Sequence, residues 1–187
     1  FPLSIADTVA YPYEPDGYCD RYEEGIFVGY RRYDRDGKEV LFPFGYGLSY
    51  ANFVYSDLVV RKAGETSFTL SFDVENLSSV SGKEVVQVYV KDIVSSVSRP
   101  EKELKGFVKK LIEAGKKERI TIRLEADAFA FYSAALDEWY VENGDYEIQI
   151  GSSSRDIRLK ARVKIELPPE SQYTVEKADL REIGSET

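Results

Sequence analysis

The chain has 187 residues, 43% of them hydrophobic and 13% aromatic, with 13 glycines and 7 prolines, a composition that can bury a core and excludes wholesale disorder. Its 25 basic and 33 acidic residues leave a net charge of −8, which argues against nucleic-acid binding through a basic footprint. With no histidine and a single cysteine, Cys19, the chain cannot build a Ser-His-Asp or Cys-His catalytic unit, an internal disulfide or a cysteine zinc site.

No cofactor is expected, and no membrane partner, because no stretch is apolar for long enough to span a bilayer as a helix. The lone cysteine suits a reducing compartment and favours the cytoplasm slightly over secretion, although a secreted protein without disulfides has the same composition. Phe1 heads a chain without methionine, and no charged-then-apolar leader follows it; the expectation is a piece of something longer.

Residues 1–49 are dense in aromatics, among them Tyr22, Tyr30, Phe42, Phe44 and Tyr46. Gly25-Ile26-Phe27-Val28-Gly29-Tyr30 is a short apolar run that reads as a buried strand. Asp34-Arg35-Asp36-Gly37-Lys38 leading to Val40-Leu41-Phe42 carries a hairpin-like turn signal. Pro43, Gly45 and Gly47 interrupt regular structure after that. So many aromatic rings on irregular backbone cannot bury one another and need a partner surface.

From residue 50 to 166 the pattern changes to alternation. Phe68, Leu70, Phe72 and Val74 alternate with polar residues, as do Ile120, Ile122 and Leu124, then Tyr146, Ile148 and Ile150, and lastly Ile157, Leu159, Ala161, Val163 and Ile165. A period of two marks half-buried strands. Val86, Val88 and Val90 repeat it, and further strands are expected over Phe53 to Val60, near Gly106-Phe107-Val108 and around Trp139-Tyr140-Val141. Seven or eight short strands with one polar face each predict an all-β, antiparallel two-sheet sandwich. Ala126 to Leu136 is expected to form a helical turn or a packed crossover. The tail, 167–187, opens on Leu167-Pro168-Pro169, reads as a linker and holds one short helix over 175–183.

Carboxylates are abundant, yet no spacing singles out two of them as an acid–base pair. Glu23 and Glu24 flank the apolar run on one side, Arg31 and Arg32 on the other; they read as ion pairs at a domain junction rather than as a substrate rim. Trp139 reads as sandwich core more readily than as a sugar-stacking ring. The basic positions of the last strand, Arg155 to Lys164, read as a solvated outer face. Cys19 has no partner that would activate it.

Tyr22-Glu23-Glu24-Gly25-Ile26-Phe27-Val28-Gly29-Tyr30-Arg31 and Phe42-Pro43-Phe44-Gly45-Tyr46-Gly47-Leu48-Ser49-Tyr50 closely resemble the C-terminal part of glycoside hydrolase family 3, the β-glucosidase family. In the same order follow Gly82-Lys83-Glu84-Val85-Val86-Gln87-Val88-Tyr89-Val90, Arg99-Pro100, Glu103-Leu104-Lys105-Gly106-Phe107, Gly144-Asp145-Tyr146-Glu147-Ile148 and Gly151-Ser152-Ser153-Ser154-Arg155-Asp156-Ile157. Arg32 departs from the aromatic residue more usual in the family.

The resemblance implies that 1–49 is the end of an α/β-sandwich domain and its connector, and that 50–166 is a fibronectin type III-like, immunoglobulin-like sandwich. It implies a parent enzyme that hydrolyses β-glucosides with retention through a nucleophilic carboxylate and a carboxylic acid/base. Those two residues and a sugar-binding Lys-His pair lie outside the motifs matched here, so no catalytic, cofactor or metal residue is assigned in this chain, and alone it should be inactive. The implied partners are the parent's (β/α)8 barrel and α/β-sandwich domains, with Tyr22, Glu24, Tyr30, Arg31, Phe42, Phe44 and Tyr46 as interface candidates. The Leu-Pro-Pro tail suggests the permuted domain order, with a barrel following. The alternatives are a stand-alone carbohydrate-binding module and the same domain of a β-xylosidase.

Overall fold

The computed structural model describes residues 1–8 and 24–168. Tyr22, Cys19 and the helix expected over 175–183 lie outside these residues. A six-residue helix, α1 (Tyr30–Arg35), precedes nine strands: β1 (Phe53–Lys62), β2 (Phe68–Asn76), β3 (Gly82–Asp92), β4 (Glu103–Ile112), β5 (Lys117–Leu124), β6 (Phe131–Ser133), β7 (Glu138–Tyr140), β8 (Gly144–Gly151) and β9 (Ile157–Ile165). They pair antiparallel as a three-stranded sheet β1-β2-β5, a four-stranded sheet β4-β3-β8-β9 and a ribbon β6-β7. The ribbon and a 3-10 turn at Ala126–Ala128 occupy the crossover expected there.

Alternation builds the core. Phe68, Leu70, Phe72 and Val74 of β2 and Ile120, Ile122 and Leu124 of β5 point from one sheet toward Val86, Val88 and Val90 of β3, Tyr146, Ile148 and Ile150 of β8, and Val163 and Ile165 of β9. Each such side chain contributes about 1.5–3 kcal/mol by leaving water. Phe129 plugs the end of this layer, meeting Phe68 and Tyr146 edge-on at 5.4 and 5.2 Å between ring centres. The Tyr146 hydroxyl donates to the Glu142 carbonyl at 2.9 Å, closing the corner into β8 in the manner of the tyrosine corner of immunoglobulin-like sandwiches.

One face of the four-stranded sheet departs from the expected polar exterior. Gln87 and Tyr89 of β3 and Gln149 of β8, which alternate with the core residues, are buried as well. The chain from Phe27 to Leu48 covers part of this outer surface: Gly45 accepts from the Gln87 amide at 3.0 Å, and the Tyr30 ring meets the Tyr89 ring edge-on.

The strand expected over Gly25–Tyr30 and the hairpin expected after it are absent. Glu24 to Ile26 form a turn, and Tyr30 opens a helix. Gly29 precedes that helix at φ +58°, a left-handed conformation outside the strand region. Val40 makes only an isolated bridge to Pro2. Glycines at both ends of the apolar run outweighed its hydrophobicity. The ion pairs of the flanking arginines are made elsewhere: Arg31 pairs with Glu103 on β4 at 3.0 Å and Arg32 with Asp36 at 3.2 Å.

Candidate docking face

Residues 24–50 present two sets of side chains. The first fixes the segment to the sheet. Tyr30 stacks on Phe44 with ring centres 4.7 Å apart, and its hydroxyl accepts the Leu104 amide proton at 2.9 Å. Arg31 joins Glu103 and donates to the Ile26 carbonyl at 3.3 Å, bracing the turn that Glu24 closes by accepting from the Phe27 amide. Further along, the Ser154 amide donates to the Phe44 carbonyl at 2.8 Å.

Three residues complete this clasp in a role that the sequence analysis did not give them. The Arg155 guanidinium donates to the Asp34 carboxylate at 3.0 Å and to the Tyr33 and Lys38 carbonyls at 3.3 and 2.7 Å. Lys102 reaches the other oxygen of Asp34 at 3.2 Å. Gln87 donates to both Gly45 and Ser152 and accepts the Tyr89 hydroxyl at 2.6 Å. The available hint was β3 itself, since Val86-Gln87-Val88-Tyr89-Val90 offers no charged residue to either face.

The second set faces water. Phe42 leans on Tyr46 at 5.1 Å between ring centres and meets Phe1 edge-on. Phe42, Phe44 and Tyr46 are 37%, 46% and 49% exposed, Leu41 is 59%, Leu48 87% and Tyr50 fully exposed. Phe42, Phe44, Tyr46 and Leu48, with Val40 and Pro43, border a cleft of about 560 Å³ that Tyr30, Tyr33 and Arg155 also line. Large side chains left this open over one continuous stretch are unusual on a free surface. Of the interface candidates, Tyr30, Arg31 and Phe44 tie the segment down, Phe42 and Tyr46 stand at the open cleft, Glu24 shapes the preceding turn, and Tyr22 falls outside the described residues.

Of the basic positions expected on a solvated face, Lys160, Arg162 and Lys164 of β9 are exposed, whereas Arg155 is tied to Asp34 and Arg158 donates to the Phe53 carbonyl and lies over the Tyr55 ring. Trp139 is 70% exposed rather than core. Its ribbon is three residues long on each side, so it has one face to bury, and Phe131 and Tyr140 take that face.

Two buried carboxyls meet beside the β3–β4 loop. Asp92, 2% exposed, sits 3.2 Å from Arg99, whose guanidinium also touches Glu103 and the Phe129 carbonyl. Glu142 accepts hydrogen bonds from the Ser95 hydroxyl and from the hydroxyl and backbone amide of Ser96, between 2.6 and 3.4 Å. Burial, and next the neighbouring Glu142, push the Asp92 carboxyl up to about 6 against the pull of Arg99. Burial raises Glu142 too, but hydrogen bonds from Ser96, Asp92 and Ser95 hold it below the usual carboxylate range. Both groups are engaged in fastening the loop. Among the described residues no three Cys, Asp or Glu side chains are grouped to hold a metal, and no helix is long and apolar enough to cross a membrane.

Residues 84–154 match the family described as "Fibronectin type III-like domain". The chain is 48% identical to thermostable beta-glucosidase B of Acetivibrio thermocellus over 170 residues, which is 88% of this chain and 22% of that protein. It is 45% identical to the exo-alpha-(1->6)-L-arabinopyranosidase of Bifidobacterium breve, again over 88% of this chain and 22% of the relative. Among solved structures it superposes on the GH3 beta-glucosidase of Bifidobacterium adolescentis with a TM-score of 0.82 and 39% identity, covering 94% of this chain and 27% of that one. Beta-glucosidase 3B of Thermotoga neapolitana in complex with glucose gives 0.81 and 38%, covering 89% and 24%. The chain therefore spans about a fifth of the length of the curated relatives it matches. It corresponds to the fibronectin type III-like region of glycoside hydrolase family 3, a region without the family's catalytic machinery.

Proposed function

We propose that this chain is the architectural domain of a retaining β-glucosidase-like enzyme and that its aromatic segment seats it on the enzyme's (β/α)8 barrel and α/β-sandwich domains. In this reading residues 1–49 end the α/β-sandwich domain, 50–166 form the fibronectin type III-like domain and 167–187 link onward. The observation that carries it is the division of labour within residues 24–50. One set of side chains is clasped to the β-sandwich through Arg155, Gln87 and Tyr89, and the other, Phe42, Tyr46 and Leu48, is held open beside a cleft. A segment fixed on one side and apolar on the other is built to join two bodies. The substrate of the whole enzyme is a β-glucoside in this account. The arabinopyranosidase relative favours a second reading, in which the same domain serves an enzyme with another pyranoside preference, because the sugar would be chosen outside this chain.

The test is Phe42→Asp in the full-length enzyme and in this chain. The charge is expected to cost the isolated chain about 1 kcal/mol, through the lost ring contacts with Phe1 and Tyr46, and to destabilise the full-length enzyme by about 3 kcal/mol or more through a buried, unpaired carboxylate. Equal effects in the two proteins would overturn the docking role.

A further inference from the structure

The ribbon β6-β7 carries two pairs of aromatic residues on opposite faces. Phe131 and Tyr140 face inward, with Arg99 over the Phe131 ring at 5.5 Å. Tyr132 and Trp139 are direct cross-strand partners on the outer face, 50% and 70% exposed, with ring centres 5.8 Å apart and planes at 76°. A cross-strand ring pair stabilises a ribbon by its edge contact alone, yet that contact leaves the indole largely exposed.

The Tyr132 ring of the pair is also tethered. The Tyr132 hydroxyl donates to the Asp137 carboxylate, and Asp137 makes the ribbon's turn at φ +56°. Rings held rigid before a ligand arrives lose little entropy on binding. The only charged side chains on the ribbon and its turn are the carboxylates Asp137 and Glu138, which accept hydrogen bonds from hydroxyls and repel anions.

We propose that Trp139, Tyr132 and the flanking carboxylates form a stacking site for an uncharged pyranose ring of a β-linked oligosaccharide. The C–H face of the sugar lies on the indole, the phenol ring forms the side wall, and Asp137 or Glu138 accepts from the ring hydroxyls. The choice of sugar rests on the glycosidase reading above, whereas the existence of a stacking site rests on the ribbon alone.

Trp139 is the sole tryptophan, so its emission reports on this ring and no other. Titration of this chain with cellotetraose is expected to change that emission saturably and without dependence on salt. Tyr132→Ala is expected to weaken the binding about fivefold or more, and Trp139→Phe to weaken it by calorimetry, with melting temperatures close to wild type. Absence of any saturable change overturns the proposal. So does an equal response to tetramethylammonium that salt suppresses, which would mark a cation site, or an emission shift produced only by joining the chain to the rest of the enzyme, which would mark an interface. Trp139→Phe keeps an aromatic ring beside Tyr132 on the outer face of the ribbon, so a loss of binding in that folded variant is not a loss of the domain. A negative sugar titration beside a positive Phe42→Asp result removes the sugar site and leaves the docking role intact.

Discussion

Asp92→Asn is expected to stabilise this chain above neutral pH and to remove a pH dependence that the wild type carries. In the folded chain the Asp92 carboxyl is pushed up to about 6 from an ordinary 3.8, first by burial and then by Glu142, while Arg99 pulls it down and Tyr146 and Glu103 complete its surroundings. Between those two values the folded protein keeps a proton that the unfolded chain has released. Stability therefore falls as pH rises from about 4 to 6 and levels off above it. About two pK units correspond to roughly 3 kcal/mol. Asparagine keeps the neutral form at every pH: its oxygen can still accept from Arg99, and its amide takes the place of the buried Asp92 oxygen that has no hydrogen-bond partner. Urea unfolding at pH 4.5, 6 and 8 should show wild type losing on the order of 2–3 kcal/mol over this interval from Asp92. The variant should change less by that amount and be the more stable protein at pH 8. Parallel pH profiles for the two proteins would refute the reasoning, and so would a variant less stable at pH 8, which would mean that the Asp92–Arg99 ion pair outweighs the burial of the charge.

Two further expectations concern the clasp and the chemistry. Gly45 stands at φ +79°, and a Cβ there would lie 1.9 Å from the Gln87 side-chain oxygen. Gly45→Ala should therefore release the 40–48 segment from β3, read as faster amide exchange there, at a cost of about 1–3 kcal/mol, while the β2 and β8 amides stay protected; unchanged exchange over 40–48 would contradict the clasp. The isolated chain should release no aryl alcohol from an aryl β-glucoside above the buffer rate, and turnover comparable with that of an intact enzyme would place catalytic groups where none are assigned.

The sandwich was legible wherever one face of a strand met the core and the other met water. β2, β5 and β9 alternate cleanly because, among the described residues, no segment covers their outer faces. β3 and β8 were harder, since Gln87, Tyr89 and Gln149 sit at positions that alternation assigns to solvent, and only the covering segment explains their burial. That segment was the least legible part: Gly25 to Tyr30 has the composition of a strand, but a strand needs neighbours to pair with, and glycine conformations and the Tyr30 contacts decided for a turn and a helix instead. Trp139 was misjudged for a related reason. A tryptophan in a strand pattern is ordinarily core, and a three-residue ribbon with a single buried face cannot accommodate it there. The unmet need of the aromatic segment for a partner surface was readable from composition alone, whereas the fixing residues Arg155, Lys102 and Asp34 come from distant stretches and become neighbours only in the fold.

Hydroxyl-radical footprinting of the isolated chain beside the intact enzyme tests the central claim most directly. Tyr46, Leu48 and Tyr50 are 49%, 87% and 101% exposed in this chain. The account expects their oxidation to drop at least severalfold in the intact enzyme, while Trp139 remains as reactive as before. Equal reactivity of Tyr46, Leu48 and Tyr50 in the two proteins would contradict it, because the aromatic segment would then be facing water where its partner should be.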